Sequence, residues 1–421
     1  MSRGRRWLER IKSLLILILT CSALYLAWRT ELFQRFLPDH LPADAAEPSA
    51  MVSSYTAAAK PLYAAVTGTS GLVYGVGYDD GAMDELLQTF RSVLGETFGS
   101  ASAPEPVEEN SWRAALLEPG LFLDYGMPVS LNVLASWMGT AAAFSPEQRA
   151  GRLLLSLREM EHVDLYYLNE QGTAYRCSTV ALSDALYAGI NSFLPNGTEF
   201  AMQLASLASC DPYALILRDL PELDAVNASD GGRDAAFRTA AELCRVRLNS
   251  GSSFQEQNGI VYLGEEGRLR LEADGSFRYL AAEDKALGEA REEADQIELS
   301  RSFLSQLADS CGGIGALEYS GMRNGEAGTT YLFDYRVNGV RVKLNSGSAA
   351  WAVFRDGQLV EIGLRPRTYS PGGTQADCIP PLQAAAAAGS MQPGGTPELI
   401  LSDPGGSAVI SPLWTMRERS A

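Results

Sequence analysis

The chain has 421 residues, 34 Lys and Arg against 51 Asp and Glu, and a formal charge of −17. At roughly 100–200 residues per domain this length predicts two or three domains, and an apolar fraction of 46% excludes wholesale disorder. Such an acid excess excludes nucleic acid as the main partner, because phosphate recognition needs a basic face. The charge is uneven. Residues 1–29 carry Arg3, Arg5, Arg6, Arg10, Lys12 and Arg29 against Glu9 alone, a net of +5, which leaves the rest of the chain at −22.

Residues 14–28 read LLILILTCSALYLAW, uncharged and interrupted only by Thr20, Cys21 and Ser22. Fifteen helical residues span about 22 Å, short of the roughly 30 Å of a hydrocarbon core. Ile11 and the stem of Lys12 extend the span at one end, and Arg29, Leu32 and Phe33 at the other. Trp7, Tyr25 and Trp28 suit the interfaces, and the basic N-terminus should stay in the cytoplasm. The expected order is a cytoplasmic basic tail (1–12), a single transmembrane anchor (13–33), a Pro- and Ala-rich tether (34–51) and an extracytoplasmic remainder. Two other readings compete. A cleaved signal would need a small-x-small exit, where Trp28-Arg29-Thr30 stands. A lipoprotein signal would need Cys21 behind Ile18-Leu19-Thr20. Thr20, Cys21, Ser22 and Ala23 form a small, weakly polar patch of the kind that admits a partner helix, although small residues also serve as ordinary filler.

The exported part reads as three α+β units with antiparallel sheets, at 52–145, 146–284 and 285–421. In the first, residues 81–94 have helical spacing at Met83, Leu86, Leu87, Phe90 and Leu94. Short helices are expected at 112–117 and 131–138. A strand is expected at 120–125, ended by Met127-Pro128. The second unit offers strands at 152–157, 163–168, 174–177 and 214–217, and helices at 183–193 and 234–243. It ends in a meander over 259–281 with turns at Asn258-Gly259, 265–267 and Asp274-Gly275. The third predicts a helix at 285–308, then hairpins around Asn338-Gly339 and Asp356-Gly357. A proline-started helix follows at 380–388, with a last strand pair at 398–401 and 408–410. RVRLNSGS at 245–252 echoes RVKLNSGS at 341–348, which fits either a duplicated sheet subdomain or convergent turn chemistry.

Catalytic constellations are scarce. The two histidines, His40 and His162, stand far apart, no H-E-x-x-H, G-x-S-x-G, S-x-x-K or Gly-Lys sequence occurs, and zinc or triad chemistry is disfavoured. Cys177, Cys210, Cys244, Cys311 and Cys378 are widely spaced without C-x-x-C, so their pairing is left open between one disulfide and buried thiols. Asp79, Asp80 and Glu85, or Glu108 and Glu109, could pair as glycosidase carboxylates, and Asp79, Asp80 and Asp84 could meet Ca²⁺ outside any EF-hand spacing. The plainer reading of both is solvated acidic loops. Asn196-Gly-Thr198 and Asn227-Ala-Ser229 are formal glycosylation sequons, of the kind chance supplies in a chain this long.

A short basic N-terminus, one apolar span and a three-part exported region together resemble the YycH family, regulatory proteins associated with the YycG/WalK sensor kinase of Gram-positive bacteria. The resemblance runs through WRAALLEPGLFLDYGMPVSL (112–131), IVYLGEEGRLRLEADGSFRYL (260–280), YLFDYRVNGVRV, WAVFRDGQLVEIGLR and AVISPLW, the last three also resembling the YycI domain. It implies a non-enzymatic, single-pass membrane protein that needs no cofactor. Such a protein contacts a sensor histidine kinase, and a YycI-like companion, through its anchor and exported domains, and so influences cell-wall homeostasis. A tenfold preference for one kinase state corresponds to about 1.4 kcal/mol. The alternatives are an exported envelope-binding or structural module and, behind it, an envelope-polymer hydrolase with paired carboxylates.

Overall fold

The computed structural model describes residues 58–417 apart from 143, 159, 160 and 250. The basic tail, the 13–33 span with Thr20, Cys21, Ser22 and Ala23, the tether and His40 lie outside the described residues. Among the described residues no helix is long and apolar enough to cross a membrane. The architecture is α+β with mostly antiparallel sheets, and the described residues belong to one compact unit.

The first sheet has seven strands: β1 (Tyr63–Thr67), β2 (Val73–Gly77), β3 (Glu105–Val107), β4 (Gly120–Ser130), β5 (Arg149–Arg158), β6 (His162–Leu168) and β7 (Ala174–Leu182). Their order is β2-β1-β4-β5-β6-β7-β3, antiparallel throughout. Helix α1 (Asp80–Ser100) begins where the Asp79 carboxylate accepts from Ala82 N at 3.0 Å. It buries Met83, Leu86, Phe90, Val93, Leu94 and Phe98, one stripe at helical spacing, toward the sheet. The shorter α2 (Glu109–Leu117), α3 (Leu131–Trp137) and α4 (Ser183–Ile190) follow the sequence expectation within a few residues. Strand β4 does not. It continues through Met127-Pro128, because its pairing with β5 shifts register between Asp124 and Val129, and such a bulge needs no N–H from proline.

Beyond lie β8 (Glu199–Phe200) with β9 (Leu215–Ile216), then β10 (Asp224–Ser229) and α5 (Arg233–Leu243). The second large sheet takes β11 (Ser253–Glu256), β12 (Gly259–Leu263), β13 (Gly267–Glu272) and β14 (Phe277–Ala281). After α6 (Glu293–Asp309) it adds β15 (Ala316–Gly325), β16 (Gly328–Val337), β17 (Val340–Leu344), β18 (Ala350–Arg355) and β19 (Gln358–Leu364). Then come β20 (Thr368–Gln375), α7 (Pro381–Met391), β21 (Thr396–Asp403), β22 (Ala408–Ile410) and β23 (Pro412–Arg417). The order is β11-β12-β13-β14-β19-β18-β16-β17-β21-β23, with β15 also on β16, and β17–β21 is its parallel pair. Strands β20, β10 and β22 form a small third sheet.

Strand pairing crosses the expected boundaries at 145/146 and 284/285, since β4 pairs with β5 and β14 pairs with β19. Several local expectations are corrected. The third-unit helix starts at Glu293 rather than 285, because Leu287 N and Ala290 N bond to Leu359 O and Gly357 O along β19. The strand at 408–410 pairs with β10, while β21 takes β17 and β23. The two echoed octapeptides are not a structural repeat, because Arg341–Leu344 lie in β17 whereas residues 245–249 form a turn and loop after α5. The hairpins at Asn338-Gly339 and Asp356-Gly357 form as expected, with both residues of each turn at positive φ (48° and 81°, 51° and 81°).

Candidate functional site

The two large sheets meet along a polar seam. Tyr63 of β1 donates its hydroxyl to Pro397 O at 3.0 Å, and Leu399 N donates to the Tyr78 hydroxyl at 2.7 Å, so β21 is stitched to the first sheet. Burial pushes the Tyr63 and Tyr78 phenols well up, which keeps them neutral hydrogen-bonding groups.

Beside this stitch lies a charged cluster. Asp124 of β4 stands directly across the ladder from Arg152 of β5, an opposite-charge cross-strand pair. Arg152 Nε donates to Asp124 at 3.1 Å, and its Nη2 donates to Asp211 at 2.6 Å and to Thr396 Oγ1 at 3.1 Å. Arg417 of β23 donates from Nη2 to Asp124 at 2.7 Å. Glu398 of β21 sits 3.6 Å from Arg341 and 3.9 Å from Arg417. Asp124, Asp211 and Glu398 are almost fully buried. Burial alone would raise the Asp124 carboxyl, but the Arg417 and Arg152 guanidiniums and Gly126 N outweigh it and hold it below the ordinary value. The same contest at Asp211 is decided by Arg152, Thr396 and Tyr213 N. Gly126 makes the approach of Arg417 feasible. It has φ +73°, and a Cβ there would stand 2.3 Å from Arg417 Nη1.

A cavity of about 200 Å³ opens onto this cluster. Asp124, Arg152, Asp211, Thr396 and Arg417 line it, with the Asn169–Gly172 turn and Tyr213 at its rim. A second cluster lies on the same seam. Glu318 of β15 faces Asp334 of β16 across the ladder. Burial raises both carboxyls, against the lowering effect of Arg336 on Glu318 and of Arg341 on Asp334.

Of the acidic residues singled out in the sequence, Glu109 lines the cavity and the others lie elsewhere. Asp79 caps α1, Asp84 pairs with Lys60 at 2.7 Å, and Asp80 lies 3.4 Å from Arg336. Glu109 takes Arg113 at 2.8 Å and the Tyr213 hydroxyl at 2.7 Å. Glu108 is the N-cap residue of α2 but makes no side-chain cap bond. Among the described residues no group of three or more His, Cys, Asp or Glu is placed to hold a metal ion. His162 is exposed at the start of β6. Cys177, Cys210, Cys244, Cys311 and Cys378 are free thiols, the first four buried. The Asn196 side chain bonds both N and O of Gly75, at 3.0 and 2.8 Å, as a surrogate strand beside β2, which is a structural use of that sequon.

The sequence reading did not single out Asp124, Arg152, Asp211, Glu398 or Arg417. A signal was present for three of them: Asp124 interrupts GLFLDY, Arg152 opens RLLLSL and Glu398 opens ELIL, single charges beside apolar strand runs. Buried charges of this kind require partners.

No protein-family model matches the sequence, and no curated protein matches it. Among solved structures the chain is similar to the crystal structure of YycH from Bacillus subtilis, at 10% identity and a TM-score of 0.52, over 86% of this chain and 95% of that one. At this identity the likeness is one of fold, and the chain has a YycH-like fold.

Proposed function

We propose that this protein is a membrane-anchored, non-enzymatic regulator that biases a sensor histidine kinase through its anchor and its exported body. The observation that carries the proposal is the extent of the YycH-like fold, which takes in 95% of the neighbour's chain rather than one shared subdomain. The basic N-terminus and apolar span supply the anchor in this reading, with the N-terminus cytoplasmic and the body extracytoplasmic. Regulation then needs only a difference in affinity for two kinase states, and a YycI-like companion is a further partner of the same assembly.

The test is crosslinking of the tagged full-length chain in its host membrane, followed by identification of what co-purifies. Recovery of a sensor kinase is expected. Recovery should weaken when Ser22 and Ala23 are replaced by leucine, which spoils close approach at the Thr20–Ala23 patch. A preparation free of kinase but carrying wall polymer would overturn the proposal in favour of an envelope-binding module.

A further inference from the structure

Helix α7 (Pro381–Met391) is fixed from one side. Pro381, Ala384, Ala385, Ala388 and Gly389 are buried. The fit there is close: Cys210 Sγ donates to Ala385 O at 3.2 Å, and a Cβ on Gly389 would stand 2.6 Å from the same sulfur. The opposite side is open. Leu382, Gln383, Ala386, Ala387, Ser390 and Met391 are exposed, in two parallel ridges of i, i+4 spacing. A surface helix ordinarily carries charge opposite its buried stripe. This one carries none, and residues 378–397 contain no Asp, Glu, Lys, Arg or His in a chain that is 20% charged. Large apolar side chains stand at both ends of the open face, Leu382 at 46% and Met391 at 79% exposure. The apolar surface continues onto exposed Ile379, whose carbonyl accepts from the Trp414 indole at 3.0 Å, and onto exposed Leu413 next to that tryptophan in β23.

We infer that this face of α7 is the contact surface for a second copy of the chain, packed antiparallel about a two-fold axis. Two features select that occupant. The first is charge. The chain is formally −17, so two copies repel over most of their surface, and the uncharged face is where they approach without stranding a charge. The second is self-complementarity, which a two-fold contact demands. The exposed positions are symmetric about the midpoint between Ala386 and Ala387. Turning the helix end for end about that midpoint sets Leu382 against Met391 of the second copy, Gln383 against its Ser390 and Ala386 against its Ala387. The bulky pairs fall at the two ends. The alanines fall at the crossing, where small side chains admit an axis separation of about 8 Å. Gln383 and Ser390 supply a neutral donor and acceptor. One short helix face buries less than the roughly 800 Å² per partner of a standard interface. The dimer is therefore weak in dilute solution and strengthens where copies are concentrated, as in a shared membrane. The inference stands whether or not a kinase is a further partner.

The experiment is disulfide crosslinking of the full-length chain in its host membrane, with Cys21 and Cys378 replaced by serine so that only buried thiols remain. Ala387→Cys lies beside the axis and should give a covalent dimer under mild oxidation. Leu382→Cys and Met391→Cys should each stay monomeric alone and crosslink to each other when the two variants are co-expressed. Ser70→Cys, exposed in the turn between β1 and β2, sets the background. Adding Ala386→Glu to the Ala387→Cys chain brings like charges together at the axis. It should cut the dimer yield several-fold and leave Tm unchanged, because residue 386 is exposed. No dimer from Ala387→Cys above background, equal crosslinking of Leu382→Cys alone and of the mixed pair, or a yield indifferent to Ala386→Glu would overturn the inference. An Ala387→Cys adduct with a different protein would also overturn it, in favour of a heteromeric contact.

Discussion

Replacing Arg152 by methionine isolates the energetics of the seam. The variant keeps an unbranched apolar stem and loses the guanidinium, removing bonds of 3.1 Å to Asp124, 2.6 Å to Asp211 and 3.1 Å to Thr396. Asp124 retains Arg417, whereas Asp211, buried to 1% exposure, loses its guanidinium. Breaking a buried pair from one side costs about 3–5 kcal/mol, because the remaining charge stays desolvated. In a unit of this size that lowers Tm by about 5 °C. Asp211→Asn on top of Arg152→Met should restore at least about 1 kcal/mol, since it removes the stranded charge. The pH dependence has a definite sign. Asp124 and Asp211 are held below the ordinary value of 3.8, so their stabilisation is present above that value and is lost as pH falls through their lowered values. The penalty of Arg152→Met should therefore be largest near neutrality and shrink in acid. Urea denaturation of the full-length protein in detergent at pH 7.5 and pH 3.5 measures both effects. A single-variant loss under 1 kcal/mol, or strictly additive single and double variants, would refute the reasoning.

Asp334→Asn should stabilise the protein near neutral pH, by removing a carboxylate charge that burial, with Glu398 nearby, disfavours. Burial raises the Asp334 and Glu318 carboxyls, with Arg336, Arg341, Asp80 and Glu398 as the other charges bearing on them, so the wild-type contribution is present in acid and lost as pH rises through the raised values. The advantage of the variant should vanish below about pH 4, and a urea midpoint that moves equally at both pH values would count against this. Burial pushes the Cys177 and Cys244 thiols up to about 12 and Cys311 to about 11. Alkylation at pH 8 followed by peptide mass mapping should therefore label half-buried Cys378 first and the others only on unfolding, with dithiothreitol leaving Tm unchanged.

Local structure was legible in the chain wherever a short-range signal carried it. The apolar stripe of Met83, Leu86, Phe90 and Leu94 marks α1, and Asn338-Gly339 and Asp356-Gly357 mark hairpins, because periodicity and positive-φ turns are properties of neighbouring residues.

Which strands share a sheet was not legible. The pairing of β14 with β19 joins residues more than eighty positions apart, and β22 lies on β10 rather than with the strands adjacent to it in sequence. Such pairings are chosen by burial of whole faces, to which each strand contributes only part. The seam is the sharpest case. Asp124, Arg152 and Glu398 interrupt or open apolar strand runs and could be read as anomalies, but Asp211 and Arg417 carry no such signal. Their meeting follows from how the two sheets close on each other. Only that closure removes water from the charges, which makes each pairing obligatory and shapes the cavity beside them.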